Sequence, residues 1–132
     1  MWPSQNQGGG IIKQHSIHFR ADFTFSEGKI KEYKKLIKEM SNLVGANEPA
    51  TIDYQFYFDE SETRCIVLET YRNPEAVFVH MVGIASNPVL PKIHEISRIT
   101  RFEVYGAISK KVRKAMERLN PHAYFLYTGF NR

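Results

Sequence analysis

The chain has 132 residues, the length of one domain whose core is large enough to fold without disulfides or a structural metal. Its net charge of +4 is modest and spread over several segments, so the basic residues are expected on solvated helix faces and no nucleic-acid partner is predicted. A single cysteine, no apolar run near the roughly 18 residues of a membrane span, and no signal-peptide layout predict a soluble cytoplasmic protein.

The first predicted elements are a leader, a strand and a helix. Residues 1–14 contain three consecutive glycines and no periodicity, which predicts a flexible leader, either native or added in cloning. His15 to Phe25 alternates apolar and polar residues, which predicts a half-buried strand. Ser26 is expected to cap an amphipathic helix ending near Gly45, whose apolar residues recur at three- and four-residue spacing: Ile30, Tyr33, Ile37, Met40 and Val44.

Two strands and a second helix come next. Thr51 to Asp59 is predicted to be a strand, joined by a short polar loop to the strand Cys65 to Tyr71 as an antiparallel hairpin. Both faces of this third strand carry apolar residues, so both are expected to be covered. Asn73 and Pro74 predict the start of a helix that carries His80. That helix is apolar almost all round, which favours burial against more than its own sheet: Ala76, Val77, Phe78, Val79, Met81, Val82 and Ile84.

A short helix and a fourth strand complete the main domain. Asn87 and Pro88 repeat the cap-and-proline signal and predict a short helix after them. Arg98 to Gly106 is predicted to be a strand, with Ile99, Arg101, Glu103 and Tyr105 on one side and Phe102 and Val104 on the other. The resulting order predicts an α+β, ferredoxin-like domain over residues 15–106, an antiparallel sheet with helices on one face.

Residues 107–132 are predicted to be a C-terminal extension packed on the same domain. Ser109 is expected to cap a helix through Leu119, which Asn120 and Pro121 end. Ala123 to Arg132 is aromatic and is predicted to form a fifth strand at a sheet edge. Because helices are available for one sheet face only, the second apolar face predicts a homodimer with the two sheets packed face to face.

The pattern EPATIDYQFY, then LETYRNPEAVFVH, then a strand ending in VYG resembles the antibiotic biosynthesis monooxygenase family of small dimeric α/β barrels. In that family an acidic-Pro-Gly turn precedes the second strand, a Glu and an aromatic lie two apart on the third strand, and a His lies on the next helix. The corresponding positions here are Glu48-Pro49, Glu69 with Tyr71, and His80. The predicted domain has no Trp, and Tyr71 stands where a Trp is found in polyketide and heme enzymes, so the resemblance favours the quinol monooxygenase branch.

The resemblance implies a cofactor-independent monooxygenase acting on a small aromatic or quinol-type substrate. His80, Glu69 and Tyr71 are the candidate catalytic residues, because a carboxylate beside an imidazole orients it to take a phenolic proton. Tyr54, Val77 and Met81 are the candidate substrate-pocket residues. No metal site and no cofactor are predicted, because the remaining histidines are scattered singly: His15, His18, His94 and His122.

Other interpretations stay open on the sequence alone. His80 is equally well explained as a core residue that bonds a backbone carbonyl or Glu69. The whole domain is also compatible with a non-catalytic module that binds a hydrophobic small molecule or serves in assembly, and a heme-degrading enzyme is a third alternative. The expected partners are an aromatic or quinone-like ligand and a second copy of the chain, with no membrane.

Overall fold

The computed structural model describes residues 16–83 and 87–132, so the predicted leader, His15 and Ile84 lie outside the described residues. A five-stranded sheet in the order β2-β3-β1-β4-β5 carries helices on one face, and the predicted α+β, ferredoxin-like fold is confirmed. The elements are β1 (Ile17–Phe25), α1 (Ile30–Asn47), β2 (Thr51–Phe58), β3 (Arg64–Tyr71), α2 (Pro74–Val82), α3 (Leu90–Ile96), β4 (Ser97–Tyr105), α4 (Lys110–Ala115), a 3-10 turn (Glu117–Leu119) and β5 (His122–Tyr124).

The core lies between the helices and one face of the sheet. Strand β1 runs through the middle of the sheet, antiparallel to β3 and to β4, and turns Ile17, Phe19 and Ala21 inward. Helix α1 places a buried stripe opposite them, as its three- and four-residue spacing predicts: Tyr33, Leu36, Ile37, Met40 and Val44. An apolar cavity lies within this layer, lined in part by Phe19 of β1 and Ile37 of α1.

Helix starts agree with the sequence in two places and differ in two. Asn73 caps α2, its Oδ1 accepting from the backbone N–H of Ala76 at 2.9 Å, and Ser109 caps α4 in the same way. Ser26 does not cap α1, because Gly28 has a left-handed φ of 77° and the turn delays the helix until after Lys29. Asn87 does not cap α3 either, because a turn follows it and the helix begins after Val89.

A register shift in β4 corrects the predicted side of one residue. The pairing of β1 with β4 shifts between Asp22 and Phe23, so that Ile99 lies opposite Phe23. A bulge of this kind moves the residues beyond it to the other face. Ile99 therefore packs against the core on the same side as Phe102, and not beside Glu103 as its position in the alternation predicted.

The other sheet face and one side of α2 stay uncovered in a single chain. Leu68 and Tyr57 on that outer sheet face are 38% and 50% exposed, and Val79 and Val82 on α2 are 49% and 48% exposed. Within residues 16–83 and 87–132 no element covers the outer face of β3, so the prediction that both of its faces are covered depends on the predicted dimer. Helix α2 contacts α4 as well as β2 and β3, in agreement with the prediction that it packs against more than its own sheet. Helices cover only the inner face, because both crossovers lie on the same side of the sheet.

The C-terminal extension is shorter in regular structure than predicted. Helix α4 ends at Ala115 and is followed by a 3-10 turn, and β5 spans three residues instead of ten. Strand β5 pairs parallel with β4, so the sheet is mixed and not purely antiparallel. The pairing of β4 with β5 ends at Tyr124, whose carbonyl oxygen accepts a hydrogen bond from the Gly106 backbone N–H at 2.9 Å. No described helix is both long and apolar enough to cross a membrane.

Candidate functional site

Four elements bring one polar cluster to the inner face of the sheet. Glu48 follows the end of α1, Tyr54 lies on β2, Glu69 lies on β3, and His80 lies on the last turns of α2. Tyr54 and Glu69 are register partners in the β2-β3 hairpin, which fixes them side by side. Helix α2 begins directly after β3, with Asn73 as its N-cap, and its last turns place His80 beside Glu69 of that strand. The cluster thus combines a local hairpin with a residue from the end of α1.

The His80 imidazole lies between two carboxylates. Its Nδ1 is 2.8 Å from Glu48 Oε1, and its Nε2 is 3.6 Å from Glu69 Oε1. Because a carboxylate accepts, the shorter contact makes Nδ1 the donor to Glu48 and leaves Nε2 facing Glu69. Glu48 Oε1 also accepts a hydrogen bond from the Thr51 hydroxyl at 3.0 Å, which holds this carboxylate in place.

Two tyrosines complete the cluster. The Tyr71 hydroxyl donates to Glu69 Oε1, and its ring centre lies 5.4 Å from that of His80. The Tyr54 ring meets the imidazole edge on, with centres 5.5 Å apart. Tyr71 is fully buried, so the hydrogen bond to Glu69 satisfies a hydroxyl that has no access to solvent. The tyrosines therefore hold both the carboxylate and the imidazole in a single arrangement.

Burial and charge act together on the ionisable groups. Burial raises the pKa of Glu69 above its ordinary value, and the positive imidazole and the Tyr71 hydrogen bond only partly oppose this. Burial works to lower the pKa of His80, but the hydrogen bond to Glu48 and the charges of Glu69 and Glu48 outweigh it, so the pKa is raised. Burial raises the pKa of Tyr54 and of Tyr71 as well, which keeps both hydroxyls protonated. Both His80 and Glu69 consequently hold protons more tightly than they do in water.

An apolar cavity of about 110 Å³ adjoins the cluster. Glu69, His80 and Tyr54 form one part of its wall, and Met81 and Phe102 are among the apolar side chains that continue it. An engineered apolar cavity of roughly 150 Å³ binds benzene, so a space of this order suits a single ring. The other lining residues are Phe19, Ala21, Phe23, Tyr33, Ile37, Met40, Phe56, Val67, Gly83, Leu90, Ile93, His94, Ile99, Arg118 and Leu119.

The structure brings together five of the six residues that the sequence singled out. Tyr54, Glu69, His80 and Met81 line the cavity, and Tyr71 stands behind Glu69 without lining it. Val77 belongs to the fully buried core and does not line the cavity. No finding tests the catalytic or binding roles of these residues, so the roles stay predictions.

Sequence reasoning missed Glu48 as a site residue. It was assigned to a turn, although an acidic residue before Pro49 is part of the family pattern. Glu48 is 4% exposed and is 32 residues from His80 in sequence, so no spacing within one element relates the two. The signal in the sequence was the acidic residue of this turn. The structure buries its carboxylate, and a buried carboxylate needs a partner, which here is His80.

The geometry does not suit a metal or heme. Among residues 16–83 and 87–132, no three His, Cys, Asp or Glu side chains are grouped to hold a metal ion. His80 directs one ring nitrogen to Glu48 and the other to Glu69, so neither points at an open axial position for heme iron. The cavity is also far smaller than a porphyrin. The heme alternative is therefore not supported by the residues present.

Comparisons with known proteins find structural relatives only. No family model and no curated protein sequence matches the chain. Among solved structures, MupZ from Pseudomonas fluorescens superposes with a TM-score of 0.73 and 21% identity over 90% of this chain and 96% of that one. A presumed antibiotic biosynthesis monooxygenase from Caulobacter crescentus gives 0.63 and 22% over 74% and 93%. SnoaB from Streptomyces nogalater, a cofactor-independent oxygenase, gives 0.62 and 11% over 72% and 95%.

The chain has the antibiotic biosynthesis monooxygenase-like fold. The resemblance drawn from the sequence is confirmed at this level, because solved structures of such proteins superpose over most of the described domain. The alignment with MupZ covers so much of the chain that it must include part of the C-terminal extension. The extension is thus a shared feature of the fold in at least one relative.

Proposed function

We propose that the cavity is the active site of a cofactor-independent monooxygenase whose substrate is a small quinol-type aromatic molecule. The observation that carries the proposal is the row Glu48, His80, Glu69, in which His80 and Glu69 line an apolar cavity and Glu48 lies behind His80. An imidazole whose Nδ1 proton is held by a carboxylate, with no hydrogen bond on Nε2, is the usual form of a general base. SnoaB, which is described as a cofactor-independent oxygenase, provides a precedent for such chemistry on this fold.

The proposed first step is removal of a phenolic proton. Glu48 holds the proton on Nδ1, so the Nε2 atom of His80 is the acceptor. The Glu69 carboxylate, 3.6 Å from Nε2, stabilises the imidazolium that forms. Tyr71 keeps that carboxylate in position through its hydrogen bond. The substrate anion that remains is much easier to oxidise than the neutral quinol.

The later steps need only the substrate and molecular oxygen. The anion gives one electron to oxygen, and the resulting radical pair combines to form a ring carbon–oxygen bond as a peroxide. His80 returns its proton to the peroxide, and the ring C–H proton leaves as the O–O bond breaks. One oxygen atom stays on the ring and the other leaves as water, so hydroquinone and oxygen give hydroxyquinone and water. The two electrons that reduce the second oxygen atom come from oxidation of the quinol to the quinone.

Oxygen uptake with a panel of hydroquinones and naphthohydroquinones tests this proposal. The variant His80→Ala should lower the rate by the roughly 100-fold or more that is typical of a lost general base. His18→Ala is the matched control, because His18 is exposed on the outer sheet face and bonds Thr70, away from the cavity. A fall in melting temperature without loss of turnover would instead assign His80 to the core. Thermal stabilisation by quinols with no oxygen uptake would favour the non-catalytic binding module.

A second candidate is proton-transfer chemistry that consumes no oxygen. It is favoured by the raised pKa of both His80 and Glu69, since one of the pair can then donate a proton while the other accepts one. Incorporation of solvent deuterium into a bound phenol or ketone under argon, lost in Glu69→Gln, would support this reaction. Turnover that requires oxygen in strict proportion to product would eliminate it.

We also propose that the chain forms a homodimer through the outer face of its sheet. Leu68, Tyr57 and Tyr105 are exposed large side chains on that face, with 38%, 50% and 36% of their surface accessible. Packing two such faces would remove these side chains from water, and burial of apolar surface is the usual driving force of stable dimers. A cytoplasmic location is proposed on the single free cysteine, Cys65, which suits a reducing compartment.

A further inference from the structure

The cavity has two ends of opposite character. At the inner end lie Glu69 and His80, with Glu48 behind them. At the open end lie His94, from α3, and Arg118, from the 3-10 turn of the C-terminal extension, which we call the cationic rim. The other described lining residues are mostly apolar, among them Val67 and Ile93. A ligand that fills the space thus meets carboxylates at one end and a guanidinium at the other.

Arg118 is placed at the rim by the fold and is not engaged elsewhere. Helix α4 packs on α2, so the turn that follows α4 is brought to the cavity mouth, where Leu119 also lines the wall. Among the residues that the structure describes, no ion pair and no side-chain hydrogen bond involves Arg118. Among the lining residues in the described part of the chain, Glu69 is the only acidic one, and it lies at the inner end, away from the rim.

His94 lies close enough to Arg118 for the arginine charge to change its pKa. Partial burial and the positive charge of Arg118 lower the pKa of His94 below its ordinary value. The imidazole is therefore mainly neutral near pH 7 and supplies a hydrogen-bonding group next to a permanent charge. An anion at the rim gains the charge of Arg118 together with a hydrogen bond from His94.

We propose that the cationic rim selects substrates that carry an anionic group, a carboxylate or a phosphate, at the end of the molecule opposite to the reacting hydroxyl. Guanidinium binds such groups through paired, charge-assisted hydrogen bonds. Among the described residues that line the cavity, only Arg118 carries a permanent positive charge, so the anionic group is directed to the rim and the hydroxyl to the inner end. The proposal rests on the proposed function for the identity of the hydroxyl end, while the anion preference depends on the rim alone.

Anaerobic binding measurements separate this inference from turnover. Titration calorimetry measures the affinity for three matched pairs of probes, each an acid and its primary amide. The acids are 4-hydroxybenzoate, 4-hydroxyphenylacetate and 3-(4-hydroxyphenyl)propionate. Each acid should bind roughly ten-fold or more tightly than its amide, the usual worth of a charge-assisted hydrogen bond. Phenyl phosphate against benzoate then decides which anion fits better. Because no oxygen is present, failure of the oxygenase proposal leaves this result unaffected.

Substitutions at the rim assign the preference to Arg118. The variant Arg118→Gln should lose the roughly ten-fold preference for acid over amide while binding the amides as before, and Arg118→Lys should retain part of it. Arg113→Gln is the matched control, because Arg113 is an exposed cation of α4 that does not line the cavity. Equal affinity for acids and amides, equal loss of both in Arg118→Gln, or no measurable binding of any pair would overturn the inference. The variant His80→Ala should keep the preference even if turnover is abolished.

Discussion

The sheet carries the same local motif on its two faces, with opposite electrostatic results. Glu69 and Tyr71 lie two apart on β3, Glu103 and Tyr105 lie two apart on β4, and in each pair the tyrosine hydroxyl donates to the glutamate. Both glutamates are almost inaccessible, 7% and 8% exposed. Yet burial raises the pKa of Glu69, whereas the hydrogen bonds from Arg101 and Tyr105 lower that of Glu103.

Depth and partners explain the difference. Glu69 lies under α2 in the packed inner layer, where its cationic neighbour is an imidazole 3.6 Å away. Glu103 lies on the outer face under a thin cover of long side chains, and Arg101 binds it directly. Two carboxylates with the same small exposed fraction can therefore have different environments. At Glu103 the Arg101 guanidinium outweighs a small desolvation cost, so the pKa falls, whereas at Glu69 the His80 imidazole offsets only part of a large desolvation cost, so the pKa rises.

The largest expected contrast between the two faces is in turnover. Under the proposed function, Glu69→Gln should reduce oxygen uptake by roughly 100-fold, because the developing imidazolium loses the carboxylate that faces it. Glu103→Gln changes the same motif on the other face and should stay within about two-fold of the wild type. Rates at saturating quinol, with far-UV circular dichroism to check folding, provide the comparison. Equal losses in both variants would show that the motif acts through general stability.

Removal of the two hydroxyls should separate the faces in stability. Tyr71→Phe leaves a buried carboxylate without its donor and should lower the free energy of unfolding by about 1–3 kcal/mol. Tyr105 is 36% exposed, so water replaces its hydroxyl, and Tyr105→Phe should cost no more than about 0.5 kcal/mol. Urea unfolding at one pH measures both values. If Tyr105→Phe cost as much as Tyr71→Phe, the outer motif would be as buried as the inner one.

The proposed dimer would cover the outer motif as well. Leu68→Asp places a charge within the proposed interface and should raise the dimer dissociation constant by roughly ten-fold or more. Asn42→Asp adds the same charge to an exposed position of α1 and should have little effect. Analytical ultracentrifugation over micromolar concentrations gives both constants. A wild type that sediments only as a 15.3 kDa species would refute the dimer.

The smallest expected effect is on the pH dependence of stability, and its sign differs between the faces. The folded pKa of Glu69 is raised above 4.5, so its stability contribution is complete below that pH and is lost as pH rises through the folded pKa. The folded pKa of Glu103 is lowered, so its contribution is present above 4.5 and is lost as pH falls. The stability of wild type relative to Glu69→Gln should therefore fall with pH, and that relative to Glu103→Gln should rise. Parallel curves would contradict the assigned pKa directions.

Much of the candidate site was predictable because it is local. Glu69 and Tyr71 face the same way by strand alternation, and His80 follows on the next helix, whose start is encoded by Asn73 and Pro74. Elements that follow one another directly in the chain, such as β3 and α2, are expected to lie side by side. Glu48 was missed because its contact with His80 depends on where α1 ends relative to α2, a distance in space that alternation and spacing do not encode.

Local sequence patterns are enough to specify the order of strands and helices, because periodicity, helix caps and turn residues act over a few neighbours and agree with one another along β1, α1, β2, β3 and α2. Three features depend on contacts between distant segments: the bulge that turns Ile99 inward, the three-residue parallel β5, and the position of Arg118 at the cavity. Each of these depends on register or packing between segments distant in sequence, where the free energy comes from contacts that no single segment contains.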